Sequence, residues 1–155
     1  MTVVKICGLT NESDVESAIA AGADRLGFVV VAASPRFVDF ETARRLIRLA
    51  LDHNVEPWVV AGWSADRPAS QSGLDRFLEE ILDLGAVQLH GGERPADVAD
   101  FARRFPLMPM VKALGVSSRR DLERIKEFPG ADGFLFDARP PAGATREGGF
   151  GKAFD

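Results

Sequence analysis

Short runs of β-branched and aromatic residues alternate along the chain with stretches whose apolar positions recur at helical spacing. The runs at 3–7, 25–31, 57–63, 86–90, 108–114 and 133–137 predict strands. Amphipathic stretches at 11–21, 39–54, 74–84, 95–105 and 118–128 predict the helices between them. In ETARRLIRLAL, Ala43, Leu46, Ile47, Ala50 and Leu51 fall at i, i+3, i+4, i+7 and i+8, with arginines on the other face. Thr10 or Ser13, then Asp39, then Ser117 or Ser118 stand where helix N-caps belong, each with acidic residues close behind.

Alternation this regular predicts parallel strands joined by crossover helices. Both faces of such a sheet are covered, which accounts for strands that are apolar almost throughout. Two architectures fit, an open doubly wound sheet and a (β/α)8 barrel. Six strands suit the open sheet by count alone, since a complete barrel typically takes about 200 residues or more and this chain has 155. No linker or low-complexity tract divides it, so 1–155 reads as one α/β domain. The most turn-like segment, 64–73, is a polar loop between the third strand and the third helix, and 138–155 is too long and polar for a tight connection; long loops in compact domains are usually functional or disordered.

Charge narrows the classes of partner. A net charge of −4, with basic residues scattered among acidic ones, argues against a nucleic-acid or anionic-membrane partner. The opening residues hold too short an apolar run for a signal peptide, and no run approaches a membrane span. A single cysteine makes no intramolecular disulfide, and a cytoplasmic location is the default expectation.

In either architecture, ligands gather at the carboxyl ends of the strands. The first strand ends in Cys7, the fourth in His90 and the sixth in Asp137, and Arg36 sits in the loop after the second. Period-two alternation puts Val3, Lys5 and Cys7 on one face of the first strand and Gly133, Leu135 and Asp137 on one face of the sixth. In a barrel, Cys7 and Asp137 would then face a common cavity, where a thiol and a carboxyl group could divide acid and base work. Plainer readings compete for each residue. Cys7 suits a small core hydrophobe, His90 a turn before two glycines, Asp137 a loop cap, and Arg36 a surface charge. His53, before Asn54, reads as a helix C-terminal residue without further role. Lys5 and Lys112 each lie within a strand, where a buried ammonium needs a carboxylate partner. Gly148, Gly149 and Gly151 offer backbone amides that could approach an anion, or simply flexibility.

Taken in order, KICGLT, ADRLGFVV with SPRFV, VQLHG, VKALGVSSRRDLER, FLFDA and GGFGKAFD resemble the phosphoribosylanthranilate isomerase family along the whole chain. The third strand departs from the pattern, reading VVAGWSAD. The resemblance implies a (β/α)8 barrel and a step of tryptophan biosynthesis without metal or organic cofactor. That step is the Amadori rearrangement of N-(5-phosphoribosyl)anthranilate to 1-(2-carboxyphenylamino)-1-deoxyribulose 5-phosphate. It implies that Cys7 removes the C2′ proton as general base and that Asp137 protonates the ring oxygen as general acid. Arg36 would meet the anthranilate carboxylate, and His90 would line the same pocket, with Gly148, Gly149 and Gly151 as further substrate contacts. Lys5, on the same strand face as Cys7, would favour the thiolate. The acid must be protonated, which calls for an apolar or anionic setting.

The family pattern continues past GKAFD with two more strands, whose loops hold the substrate phosphate. A 155-residue product is therefore expected to be inactive or to depend on a complementing fragment. Open edges on the first and sixth strands would invite pairing with that fragment or with a second copy. A non-catalytic barrel scaffold and another phosphosugar isomerase on the same fold stay open as alternatives.

Overall fold

The computed structural model describes residues 2–66, 72–81 and 83–138. Gly148, Gly149 and Gly151 lie outside the described residues. The elements alternate as β1 (Lys5–Cys7), α1 (Glu12–Ala20), β2 (Arg25–Val29), α2 (Phe40–Asp52), β3 (Glu56–Ala61), α3 (Ser72–Glu80), β4 (Ala86–Leu89), α4 (Pro95–Arg104), β5 (Met110–Val116), a 3₁₀ helix (Arg119–Glu127) and β6 (Gly133–Ala138). The strand order in the sheet follows the sequence, β1-β2-β3-β4-β5-β6. The register is parallel, with Cys7 beside Gly27, Gly27 beside Trp58, and Gly115 beside Asp137. This is the α/β class expected of the barrel, with six strands in the described residues.

Among the described residues, contacts form two compact units, one within 2–61 and 72–87 and the other within 62–66 and 88–138. In the first, Leu26, Phe28, Val59, Leu46 and Phe77 are buried, and Phe40 stacks on Phe77 with ring centroids 4.7 Å apart. Helix α2 buries Ala43, Leu46, Ile47 and Ala50, the stripe its spacing predicts. Asp39 caps it by accepting a 2.7 Å hydrogen bond from the Thr42 amide, which lowers the carboxyl pKa. His53 closes α2, and Asn54 after it takes the left-handed conformation at φ 57°. The cap of α1 differs from expectation. Neither Thr10 nor Ser13 serves; extended Asn11 does, through a 2.9 Å bond from the Asp14 amide to its side-chain oxygen.

In the second unit, Leu89, Phe101, Met110 and Phe128 form the buried centre. Trp63 meets Phe101 and Phe105 edge-on, with centroids 5.0 and 5.6 Å away, and its indole N–H donates to Asp100 at 3.1 Å. This packing accounts for the aromatic residue at the departure in VVAGWSAD. Strand β5 begins at Met110, not at 108, because Pro109 has no amide to give a ladder. The predicted fifth helix is a 3₁₀ helix. Its apolar residues Leu122 and Ile125, with Phe128 at the C-cap, stand three apart, which matches three residues per turn. None of its nine residues is buried, so no packed stripe imposes the α-helical period. Ser118 opens it, with the Asp121 carboxylate accepting from both the Ser117 and Ser118 amides at 2.9 Å.

Asp97 organises the start of α4. Its carboxylate accepts from the Arg94 side chain at 2.8 and 2.9 Å, from the Arg94 amide at 2.8 Å, and from the Ala65 amide at 2.9 Å. Arg94 also reaches Asp66 at 2.7 Å. The Arg94 guanidinium, helped by the two amides, holds the Asp97 carboxyl far below the usual carboxylate range. A carboxyl whose pKa is lower folded than unfolded contributes stability above its unfolded pKa, and loses it as pH falls through the folded value. Between about pH 5 and about pH 2, the urea midpoint of the native chain should therefore fall more steeply than that of Asp97→Asn. Parallel slopes would show that Asp97 ionisation does not carry the acid sensitivity.

Candidate active site

The chemistry-bearing residues lie at strand ends, in two groups. In the first unit, β1 carries Lys5 and Cys7 half-buried on one face, with Ile6 exposed on the other. Gly27 faces them from β2. A Cβ placed on Gly27 would lie 2.6 Å from Cys7 Sγ and 3.1 Å from Lys5 Nζ, so thiol and ammonium converge on the space a side chain there would fill. The Lys5 ammonium also sits 5.2 Å over the Trp58 ring, and the Arg25 guanidinium 5.0 Å from the same ring. Glu56 holds both neighbours, accepting from Arg25 Nε at 2.7 Å and from the Trp58 indole N–H at 3.1 Å.

Arg36 joins this group. Its Nη1 lies 3.5 Å from the Cys7 carbonyl oxygen, at the outer limit of a hydrogen bond. Its aliphatic stem crosses Gly8, where an added Cβ would meet Arg36 Cδ at 2.4 Å. Gly8 has φ +86° and donates its amide to the Gly27 carbonyl at 2.8 Å. The backbone conformation favours glycine at position 8, and a side chain there would also have to displace the exposed Arg36 stem. Gly8→Ala is expected to lower stability by about 1–2 kcal/mol from the left-handed backbone alone, measured by urea unfolding. An unchanged midpoint would mean that the turn relaxes to another conformation.

In the second unit, His90 and Asp137 approach each other, with Nε2 3.7 Å from Oδ2. That separation is too long for a hydrogen bond but close enough for charge on one to be felt by the other. Asp137 Oδ1 accepts the Ala138 amide at 2.8 Å, and Gln88 Nε2 lies 2.8 Å from His90 Nδ1. With the Gln88 amide nitrogen as donor, Nδ1 accepts, and the tautomer this pairing favours carries its proton on Nε2, towards Asp137. His90, Asp137, Gly115 and Arg124 line a cavity of about 210 Å³ with Lys112 and Glu93. Phe136 is 39% exposed, while Asp137 keeps 29% of its side chain accessible.

Sequence reasoning missed Glu93, the carboxylate that Lys112 needs, at 2.8 Å in a buried pair. The signal was present, since a lysine within a strand demands a negative partner and Glu93 follows the two glycines after β4. It also missed Gln88, which fixes the His90 ring, and Trp58, which carries two cations. Among the described residues, no group of three or more His, Cys, Asp or Glu could hold a metal ion, and no helix is long and apolar enough to cross a membrane.

The chain is similar to known proteins over most of its length. The family model of N-(5'phosphoribosyl)anthranilate (PRA) isomerase matches residues 4–155. The N-(5'-phosphoribosyl)anthranilate isomerase of Rhodopseudomonas palustris strain BisA53 is 46% identical over 154 residues, 98% of this chain and 66% of the relative. The phosphoribosyl anthranilate isomerase structure from Thermotoga maritima superposes with a TM-score of 0.69 at 31% identity, over 92% of this chain and 64% of that one. An isomerase of the same name, solved with reduced 1-(o-carboxyphenylamino)-1-deoxyribulose 5-phosphate, gives a TM-score of 0.69 at 33% identity, covering 89% and 66%. The chain thus spans about two thirds of the length of the curated relatives it matches.

Proposed function

Because the chain belongs to the N-(5'-phosphoribosyl)anthranilate isomerase family, we propose that it supports the Amadori rearrangement of N-(5-phosphoribosyl)anthranilate to 1-(2-carboxyphenylamino)-1-deoxyribulose 5-phosphate. The observation that carries the reading is the location of the family-pattern residues Cys7, His90 and Asp137 at strand carboxyl ends, with Arg36 lying against the Cys7 carbonyl. In this reading Asp137 gives a proton to the furanose ring oxygen. The C1′–O bond breaks, and the anthranilate nitrogen lone pair forms the C1′=N bond of a protonated Schiff base. Cys7, as thiolate, then takes the C2′ proton, and the electron pair of that C–H bond moves towards the iminium to give an enaminol. Tautomerisation of the enaminol yields the amino ketone. No electrons leave the substrate, and one proton is relayed at each end, so the residues needed are an acid, a base and groups that orient the substrate.

Arg36 suits the anthranilate carboxylate because its planar fork matches a carboxylate bidentately. Its stem, laid across Gly8, keeps the guanidinium beside the backbone of the proposed base. Cys7 Sγ and Lys5 Nζ pack together over Gly27, so a cation lies close to the sulfur of the proposed base. We read the chain as cytoplasmic, in keeping with a small-molecule biosynthetic role. Pairing with a second copy is in keeping with the Thermotoga maritima relative described as dimeric.

The test follows the loss of substrate fluorescence on turnover. Cys7→Ala and Asp137→Ala should each lower kcat by roughly 10²-fold or more, the usual contribution of a positioned acid or base. Reduced 1-(o-carboxyphenylamino)-1-deoxyribulose 5-phosphate should inhibit competitively. Full activity in either variant would refute the role assigned to that residue. Arg36→Ala should raise KM more than it lowers kcat, since its contact with the carboxylate persists from substrate to product.

A further inference from the structure

The mechanism leaves unused a buried ion pair of the second unit, formed by Lys112 at 2% and Glu93 at 6% exposure. Burying an ion pair gains little stability over an apolar pair of the same volume, so its retention calls for another account. The contacts supply one. Lys112 Nζ lies 2.8 Å from Glu93 Oε2 and donates to the carbonyls of Ala113 at 2.7 Å, Gly91 at 3.1 Å and Leu89 at 3.4 Å. Glu93 Oε2 accepts the Gly91 amide at 3.0 Å, and Oε1 accepts the Trp63 amide at 3.3 Å.

The pair therefore grips the amide and the carbonyl of Gly91, together with the carbonyl of Leu89. These groups flank His90 on both sides along the backbone. A Cβ on Gly91 would come within 2.8 Å of Glu93 Oε1, so a side chain there requires the Glu93 carboxylate to shift. We infer that Lys112 and Glu93 are positioning residues that lock the Leu89–His90–Gly91 backbone, so that His90 holds one ring orientation, Nδ1 on Gln88 and Nε2–H towards Asp137. Only the catalytic consequence rests on the proposed isomerase reading; the positioning itself does not.

The chain contains two histidines, and His53, exposed at the end of α2, serves as an internal reference in imidazole ¹⁵N NMR of the full chain. Native His90 should show a single neutral tautomer, pyrrole-like at Nε2 and pyridine-like at Nδ1, while His53 averages between tautomers. The double substitution Lys112→Met with Glu93→Gln removes both charges, so that neither is left buried alone. Gly91→Ala keeps both charges but intrudes on Glu93. In each variant the single-tautomer signature of His90 should be lost and the His53 signals should not move. Loss of the signature in either folded variant supports the proposal; an unchanged His90 spectrum in both overturns it. Should the double variant fail to fold, Gly91→Ala decides alone. If Gly91→Ala also unfolds, the native spectrum decides, and averaged His90 tautomers there overturn the proposal. Where turnover is measurable, kcat should fall about tenfold or more with KM little changed, as misplacement of a group near the reacting atoms does. Turnover bears on the isomerase reading alone, and the NMR result stands whichever way it falls.

Discussion

Burial of the strands on both faces is the constraint from which the rest follows. A strand covered on both faces has no solvent-facing side, so β2, β3 and β4 are almost wholly buried, while β1 and β6 keep exposed positions at Ile6 and Phe136. Polar chemistry is then confined to strand ends and to the few interior positions where a partner can be supplied. Among the described residues, polar side chains on the strands show such partners. Lys112 has Glu93 and three carbonyls, Gln88 has His90, and Arg25 has Glu56. Lys5, on the thinly covered β1, lies over an aromatic face instead.

The fold was legible because its signals are local. The spacing of Ala43, Leu46, Ile47 and Ala50 needs no tertiary information to announce a helix that buries them. Where prediction slipped, a competing local preference won. Asn11 took the cap from Thr10 and Ser13, and a three-residue apolar repeat at Leu122, Ile125 and Phe128 gave a 3₁₀ helix where helical pattern alone suggested an α-helix.

The candidate site was legible in part. Strand-end logic singled out Cys7, His90 and Asp137, and the family pattern attached chemistry to them. The supporting cast was hidden, because its meaning depends on register. Nothing in the sequence says that Gly27 lies beside Cys7, or that the glycine at position 91 is small to admit the carboxylate of Glu93. A residue that acts by leaving space carries no chemical signature of its own.

Gly27 illustrates what such a vacancy permits. The volume its missing side chain concedes is the volume the Cys7 sulfur occupies, so the two positions share one berth. A β-carbon at 27 evicts the thiol, and shortening residue 7 to alanine frees the berth for a side chain arriving from the neighbouring strand. The reactive group is thereby tied to a place in space more than to a place in the chain. A redesign could move it from β1 to β2 by exchanging the identities of positions 7 and 27, leaving Arg36 and the Gly8 turn where they stand.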